Sequence, residues 1–244
     1  AIEQQQFQLY YQIQVDSSGH PLGAEALIRW IHPKRNMISP LQFIPLAEET
    51  GLILPIGQWV LETACAQLAI WQKNAHHKHL ILSLNVSAKQ LHQANFVTQV
   101  QEAIQHHGVD PTKLKLELTE SMLVKDIESI INKMNALSKI GVRFSLDDFG
   151  TGYSSLQYLK ILPLSQLKID QSFVREIVVD ESDLTIVSTI IAMAHSLNLE
   201  VIAEGVETEG QRQLLMNNDC LQFQGYLFGR PVPIDAFEAL LSLS

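Results

Sequence analysis

Acidic and amide side chains recur at the ends of short apolar segments in this chain of 244 residues. Within each segment apolar residues alternate with polar ones, which places the two kinds on opposite faces of a strand. We predict that the polar faces converge at one site. Six residues lie on these faces or directly after them: Glu25, Asn85, Glu117, Asp147, Asp148 and Glu204.

Such a group of side chains has few chemical uses. Carboxylates that lose water at short range either take up protons or need a counter-charge. Their hard oxygen atoms, with no Cys or His among them, favour Mg²⁺ or Mn²⁺. Five carboxylates and one carboxamide are many ligands for a single ion. We therefore predict two ions, an arrangement that is common in phosphoester cleavage.

A single acidic residue at a strand end has a more ordinary explanation. It is commonly the N-cap of the next helix or a solvated loop residue. Asp148 and Glu120 each fit that explanation. It is much harder to apply to acidic or amide residues that end five strands on the inward face, so the metal-site interpretation is preferred for the group.

The elements that would position these residues alternate between strand and helix. Predicted strands cover residues 9–15, 24–30, 80–86, 114–119, 143–147, 166–169, 200–203 and 222–228. Predicted helices cover residues 40–50, 56–74, 95–108, 127–140, 184–197, 208–217 and 234–241. This alternation predicts a largely parallel α/β sheet. Eight strands favour a closed (β/α)₈ TIM-type barrel, whose active sites lie at the C-terminal strand ends.

The first two predicted strands are joined by only six residues, 16–21. A link this short makes a hairpin and not a crossover, so the first strand should be antiparallel to the second.

Composition limits the class of protein. Hydrophobic residues make up 46% of the chain and charged residues 18%, which supports a large core within one domain over residues 1–244. The net charge of −9 argues against binding to a nucleic acid polymer, although a small anionic ligand stays compatible with it. Two isolated cysteines, Cys65 and Cys220, indicate reduced thiols.

The sequence also bears on location. It contains no continuous run of 18 apolar residues, and its start lacks the basic and apolar regions of a signal peptide. We expect a cytoplasmic domain without membrane contact of its own. Its abrupt start suggests that it was cut from a longer protein, which could itself be anchored in a membrane.

Seven blocks of the sequence, in order, resemble the EAL domain family. The first is Glu25-Ala26-Leu27, followed by Ile28-Arg29-Trp30. The others cover residues 85–87, 117–120, 147–155, 168–170, 203–207 and 224–226. Together they extend over essentially the whole chain. The resemblance implies a modified (β/α)₈ barrel with an antiparallel first strand, which hydrolyses cyclic di-GMP to linear pGpG with Mg²⁺ or Mn²⁺.

The resemblance also implies a role for each matching residue. The metal ligands would be the six residues named above, with Asp147 bridging the two ions. Lys168 would orient or deprotonate the attacking water, and Glu204 and Glu207 would also take part in catalysis. An amine beside metal ions has a lowered pKa, which would suit a base near neutral pH. Whether this lysine or the metal activates the water stays open. Substrate contacts would come from Leu27, Arg29, Asp148 and Gln224, with Arg29 on a phosphate.

Residues 148–155 contain Gly150 and Gly152 directly after two predicted ligands. An ordinary turn would explain these glycines. The family resemblance implies instead a loop that controls metal occupancy and contributes to a homodimer, with Glu120 anchoring it by hydrogen bonds. It further implies sensor or GGDEF-type domains elsewhere in the full-length protein. Inhibition by Ca²⁺ is expected because its larger, more flexible shell would disrupt a two-ion geometry that suits Mg²⁺. The chain has no Gly-Gly-Asp/Glu-Glu-Phe segment, so cyclase activity is not expected.

Two other functions stay open from sequence. One is an EAL domain of weak or absent activity that acts as a cyclic di-GMP receptor. The other is an unrelated barrel metalloenzyme that acts on a different phosphoester. Intact matches at every predicted ligand position favour catalysis over the receptor.

Overall fold

The computed structural model describes residues 1–2, 4–124, 126–150 and 156–241. In this part of the chain ten strands form one sheet. They are β1 (Phe7–Asp16), β2 (Pro21–His32), β3 (Asn36–Ile38), β4 (Ile81–Asn85), β5 (Leu114–Thr119), β6 (Arg143–Phe149), β7 (Gln166–Ile169), β8 (Glu200–Ala203), β9 (Gln222–Gln224) and β10 (Val232–Pro233).

Eight of these strands close into a barrel, in the order β1, β2, β4, β5, β6, β7, β8 and β9. Pairing between β9 and β1 completes the ring. Neighbours from β2 to β9 are parallel, whereas β1 is antiparallel to both β2 and β9. The predicted α/β barrel with an antiparallel first strand is therefore confirmed. The short strands β3 and β10, which were not predicted, extend the sheet beside β2 and β1.

Helices surround the barrel. They are α1 (Pro40–Thr50), α2 (Ile53–Trp71), α3 (Ala88–His92), α4 (Phe96–His107), α5 (Ile127–Ser138), α6 (Leu156–Leu159), α7 (Gln171–Arg175), α8 (Glu181–Ser196), α9 (Glu209–Asn217) and α10 (Ile234–Leu241). Short 3₁₀ turns occupy Pro111–Lys113 and Glu120–Val124. Helices α3, α6 and α7 have four or five residues each and were not predicted, because so short a segment shows no helical period.

One predicted boundary is wrong by four residues. The last predicted strand, 222–228, ends at Gln224. The chain turns there because Gly225 lies against the backbone of Val206, where a Cβ atom at position 225 would be 2.1 Å from the Val206 carbonyl oxygen. The amide of Leu227 donates to that same carbonyl, which fixes the turn.

Among the described helices, α2 is long and apolar enough to cross a membrane by length and composition alone. That criterion is weak evidence, because a buried core helix passes it too. Gln58, Glu62 and Gln67 interrupt the apolar sequence of α2. Its residues Leu68 and Trp71 are almost fully buried in the main hydrophobic core.

The barrel has an apolar exterior and a polar interior. Leucine, isoleucine and alanine residues on the outward faces of the strands pack under the helices, as Leu82, Leu116 and Leu146 show. Most TIM barrels fill the interior with branched apolar side chains. Here the alternate positions are buried polar residues: Gln12, Gln14, Glu25, Ser83, Lys115, Glu117, Ser145, Asp147, Gln166, Lys168 and Gln224.

Candidate functional site

A fully buried lysine lies at the centre of the predicted carboxylate group. Lys168 Nζ is 2.5 Å from Glu117 Oε2 and 2.5 Å from Glu204 Oε1. It is 3.1 Å from Asp147 Oδ1 and 3.6 Å from Glu25 Oε2. One ammonium on β7 thus joins carboxylates from β2, β5, β6 and the residue after β8. The predicted convergence at the C-terminal strand ends is present.

A bulge in β6 brings Asp147 and Asp148 to the same site. Leu146 pairs with Leu167 and Phe149 with Ile169, so β6 has one more residue than β7 over this interval. Asp148 has φ 53°, a left-handed conformation that is uncommon outside glycine. The Asp148 amide donates to Asp147 Oδ1 at 3.0 Å. As a result, carboxylate oxygens of Asp147, Asp148 and Glu204 lie within 4.8 Å of one another.

Glu25 is held by two amides. Asn85 Nδ2 donates to Glu25 Oε1 at 2.5 Å, and Gln224 Nε2 donates to Glu25 Oε2 at 2.6 Å. Asn85 itself is exposed at the end of β4, whereas Gln224 on β9 is buried. Both residues therefore touch the group through Glu25.

Burial and mutual repulsion shift the pKa values of this group. Burial raises the pKa of Glu117 to about 7. Burial, together with the charge of Asp147, raises the pKa of Asp148 to about 6. The pKa of Glu204 is well above its usual range, again chiefly through burial. For Glu25, burial is outweighed by Lys168 and the two amides, which lower the pKa.

The protein groups around Lys168 raise the pKa of its ammonium. Burial alone would lower the pKa of its ammonium, but the four surrounding carboxylates outweigh burial and raise this pKa well above the ordinary value. The protein groups alone therefore keep Lys168 protonated. The predicted lowering refers to an amine beside bound metal ions, so it stays a prediction, and the carboxylates within 3.6 Å act against it.

The donor set fits divalent cations. Glu117 Oε1 is buried and has no hydrogen-bond partner among the described residues, so one carboxylate oxygen in the group is left to bind another species. Asp147, Asp148 and Glu204 supply further oxygens at a spacing that a single ion could bridge. All these donors are hard oxygen atoms, the type that Mg²⁺ and Mn²⁺ prefer.

A cavity of about 260 Å³ opens directly beside this group. Its wall includes five of the predicted substrate or catalytic residues: Leu27, Arg29, Glu204, Glu207 and Gln224. The Arg29 guanidinium donates to the Ile28 carbonyl at 3.0 Å and lies 5.7 Å from the centre of the Tyr10 ring. Glu207 is exposed, and its backbone amide is held by Gln211. A second, mostly apolar cavity of about 430 Å³ adjoins Leu27, Arg29 and Asp148.

The predicted loop is only partly described. The predicted loop and dimer contacts of residues 151–155 lie outside the described residues. Glu120, the predicted anchor, is buried, and neither of its carboxylate oxygens has a hydrogen-bond partner among the described residues. Its role stays a prediction.

Several site residues were not predicted. Gly205, with φ 66°, follows Glu204 and lies against Gln171, where a Cβ atom would be 2.5 Å from Gln171 Cβ. Tyr226 and Pro231 also line the cavity. Gln12 lines it as well, Gln14 does not, and both are hydrogen-bonded to Gln224. The alternation of glutamine with apolar residues in β1 was a usable signal for these last two.

Known proteins resemble the chain over nearly its full length. A family model described as "EAL domain" matches residues 1–231. The bifunctional diguanylate cyclase/cyclic di-GMP phosphodiesterase MucR of Pseudomonas aeruginosa is 47% identical over 236 residues, which are 96% of this chain and 34% of MucR. The cyclic di-GMP phosphodiesterase NbdA of the same organism is 43% identical over 242 residues, which are 99% of this chain and 31% of NbdA.

A solved structure, described as the PaMucR phosphodiesterase in a c-di-GMP complex, superposes with a TM-score of 0.94. It is 46% identical in sequence, and the match covers 97% of this chain and 96% of that one. The present chain spans about a third of the length of the two curated relatives.

Proposed function

Because the chain belongs to the EAL domain family, we propose that it hydrolyses cyclic di-GMP to linear pGpG with Mg²⁺ or Mn²⁺. The observation that carries the proposal is the group of four carboxylates around Lys168, from β2, β5, β6 and the residue after β8, beside a cavity that Arg29 lines. MucR and NbdA are named as cyclic di-GMP phosphodiesterases, which supports the choice of substrate.

Two divalent cations would be held by the predicted ligands, with Asp147 shared between them. The ligands are Glu25, Asn85, Glu117, Asp147, Asp148 and Glu204. When bound, the cations would supply Lewis-acid stabilisation of the charge that develops on the phosphoryl oxygens. Ca²⁺ should inhibit, because its larger and more flexible coordination shell does not suit a two-ion geometry made for Mg²⁺.

The side chains around the cavity would bind and orient the substrate. Arg29 would donate to a phosphate as a planar fork. Leu27 would give an apolar surface to a base, and Gln224 and Glu207 would line the side from which water approaches. Tyr226 adds a half-exposed ring at the rim, with the Arg230 guanidinium 4.1 Å from its centre.

In the reaction, water attacks one phosphorus and the bond to the 3′ oxygen breaks. The product keeps a 5′ phosphate and gains a 3′ hydroxyl. As an ammonium, Lys168 would orient this water by donating a hydrogen bond. Divalent charge next to Lys168 would lower its pKa, and only then would the neutral amine accept a proton from the water.

We also propose the setting in which this barrel works. The two curated relatives are about three times as long as the chain, which supports sensor or GGDEF-type domains in the full-length protein. We propose further that the chain forms a homodimer near residues 148–155. It would be cytoplasmic, and residues 1–244 would form one functional unit.

The test is direct. The purified chain is incubated with cyclic di-GMP and Mg²⁺, Mn²⁺ or Ca²⁺, and products are separated by chromatography. We expect pGpG with Mg²⁺ or Mn²⁺, none with Ca²⁺ alone, and none from a Glu25→Ala variant. Tight binding without product would indicate a receptor. Neither binding nor product would refute both functions.

A further inference from the structure

We propose that Gln14 is a positioning residue for the Glu25 carboxylate and that it acts through the side-chain amide of Gln224. Gln14 lies on β1, is 3% exposed, and does not line the cavity. Its Nε2 donates to Gln224 Oε1 at 2.8 Å. This inference rests on the proposed function, because it assumes that Glu25 serves as a cation ligand.

The register of the barrel makes this arrangement possible. Antiparallel β1 pairs with β9 on one side and with β2 on the other. Gln14 is directly opposite Gln224, and Gln12 is directly opposite Glu25. Inward side chains of β1 therefore reach both the strand that carries the carboxylate and the strand that carries the amide.

The hydrogen bonds run in one direction only. Gln224 Nε2 donates to Glu25 Oε2 at 2.6 Å and to Gln12 Oε1 at 3.1 Å, while Gln12 Nε2 donates to the Gly229 carbonyl at 3.1 Å. An ionised carboxylate and a carbonyl accept and cannot donate. The Gln224 amide must therefore point its nitrogen toward Glu25, and the Gln12 amide must point its nitrogen toward the Gly229 carbonyl. This leaves Gln224 Oε1 facing Gln14.

Gln14 stabilises this orientation by satisfying the one atom of Gln224 that faces away from Glu25. Without that donor Gln224 Oε1 would lose its partner, which is costly because Gln224 is buried. A turn of the amide would place Oε1 against the Glu25 carboxylate and would replace an attraction by a repulsion. The second amide on Glu25, Asn85, is exposed and cannot give the same constraint.

The consequence is felt at the cation site. Glu25 Oε2 is shared between Gln224 and Lys168, with Lys168 Nζ at 3.6 Å. If the Gln224 amide is not held in one orientation, Glu25 Oε2 can move toward the Lys168 ammonium. It then leaves the position that it takes among the other carboxylates. Loss of one ordinary hydrogen bond corresponds to about a fivefold change in an equilibrium constant.

The experiment is a double-mutant cycle on cation affinity. Gln14→Met, Gln224→Met and the double variant are compared with the wild-type chain by titration calorimetry with Mn²⁺ in the absence of substrate. Methionine keeps the length of glutamine and removes the donor. We expect Gln14→Met to weaken Mn²⁺ binding about fivefold in the wild-type background and not at all in the Gln224→Met background. At saturating Mn²⁺ we expect kcat to recover in Gln14→Met.

The matched control is Gln166→Met, a second buried glutamine of the barrel interior. It is hydrogen-bonded to Lys115 and Gln222 and not to the residues of this network. Its unfolding midpoint should fall as in Gln14→Met while its Mn²⁺ affinity stays at the wild-type value. If Gln14 had a purely structural role, Gln14→Met would also keep the wild-type affinity for Mn²⁺. That result would overturn the proposal.

Additive effects in the cycle would also overturn it, because Gln14 would then act without Gln224. Failure of the proposed function looks different. A wild-type chain that binds Mn²⁺ but leaves cyclic di-GMP intact refutes hydrolysis, while the cycle still tests the positioning of Glu25. A chain that hydrolyses cyclic di-GMP normally with Gln14→Met of wild-type affinity refutes only the role of Gln14.

Discussion

Replacing Lys168 by methionine tests whether its ammonium is the counter-charge that keeps the carboxylates together. Four carboxylates lie within 3.6 Å of its Nζ atom, and the lysine is fully buried. Breaking a buried ion pair by removing one partner costs about 3–5 kcal/mol, because the remaining charge stays uncompensated. In a chain of this size that loss lowers the unfolding midpoint by about 6–20 °C.

The measurement is thermal unfolding in EDTA across pH. Without Lys168 the pKa values of Glu117 and Glu204 rise further above those of the unfolded chain, starting from about 7 for Glu117. A group whose pKa is raised in the folded state stabilises below its unfolded pKa, and that stability is lost as pH rises through the folded pKa. The difference between wild type and Lys168→Met should therefore be largest near pH 8 and should shrink toward pH 5.

The control is Lys133→Met. Lys133 Nζ donates to the carbonyls of Leu91 and Gln93 and has no carboxylate partner among the described residues. Its removal should give a smaller change that does not vary with pH in this interval. If Lys168→Met were as stable as wild type at pH 8 in EDTA, the ammonium would not be neutralising the group, and the reasoning would be wrong.

Three more variants test separate features. Lys115→Met should raise the free energy of unfolding at pH 7 by about 1–3 kcal/mol, measured by chemical denaturation. Burial lowers the Lys115 pKa to about 8, so the folded state is destabilised by holding a buried ammonium at pH 7. An unchanged or lower free energy of unfolding would contradict this. Gly225→Ala should lower kcat/KM at least about tenfold, because its Cβ would lie 2.1 Å from the Val206 carbonyl oxygen. The control is Gly210→Ala, whose Cβ would have no neighbour nearer than 3.9 Å and which should leave kcat/KM unchanged. Glu120→Ala should weaken Mn²⁺ binding in calorimetry, and wild-type affinity there would exclude the loop-anchor role.

The barrel and most of the candidate site were predictable because the strands alternate so regularly. In β5 the leucines were predicted to share one face, with Lys115, Glu117 and Thr119 on the other. The structure has the same separation. If the apolar faces of the strands pack under the helices, the opposite, polar faces must point into the barrel interior. The short link between β1 and β2 fixed the antiparallel first strand in the same local way.

Features that depend on contacts between distant segments could not be predicted. Asp148 was predicted to join Asp147, but the bulge that brings it there was not: strict alternation would turn Asp148 away, and the extra residue in β6 relative to β7 brings both to the site. The end of β9 depends on Val206, which is 19 positions away from Gly225. The raised pKa of Lys168 depends on distances that no sequence pattern gives.

A divalent cation bound at this site would compete with the Lys168 ammonium for the same oxygens. The carboxylates of Asp147 and Glu204 contact Lys168 and also belong to the group of three that could hold a metal ion with Asp148. An ammonium at this position repels a divalent ion while it draws the carboxylates together. In Lys168→Met, stability without metal should therefore fall while Mn²⁺ affinity rises, and turnover should be lost. A fall in both stability and affinity would instead mean that Lys168 organises the ligands, and that repulsion between the two cations is of little importance.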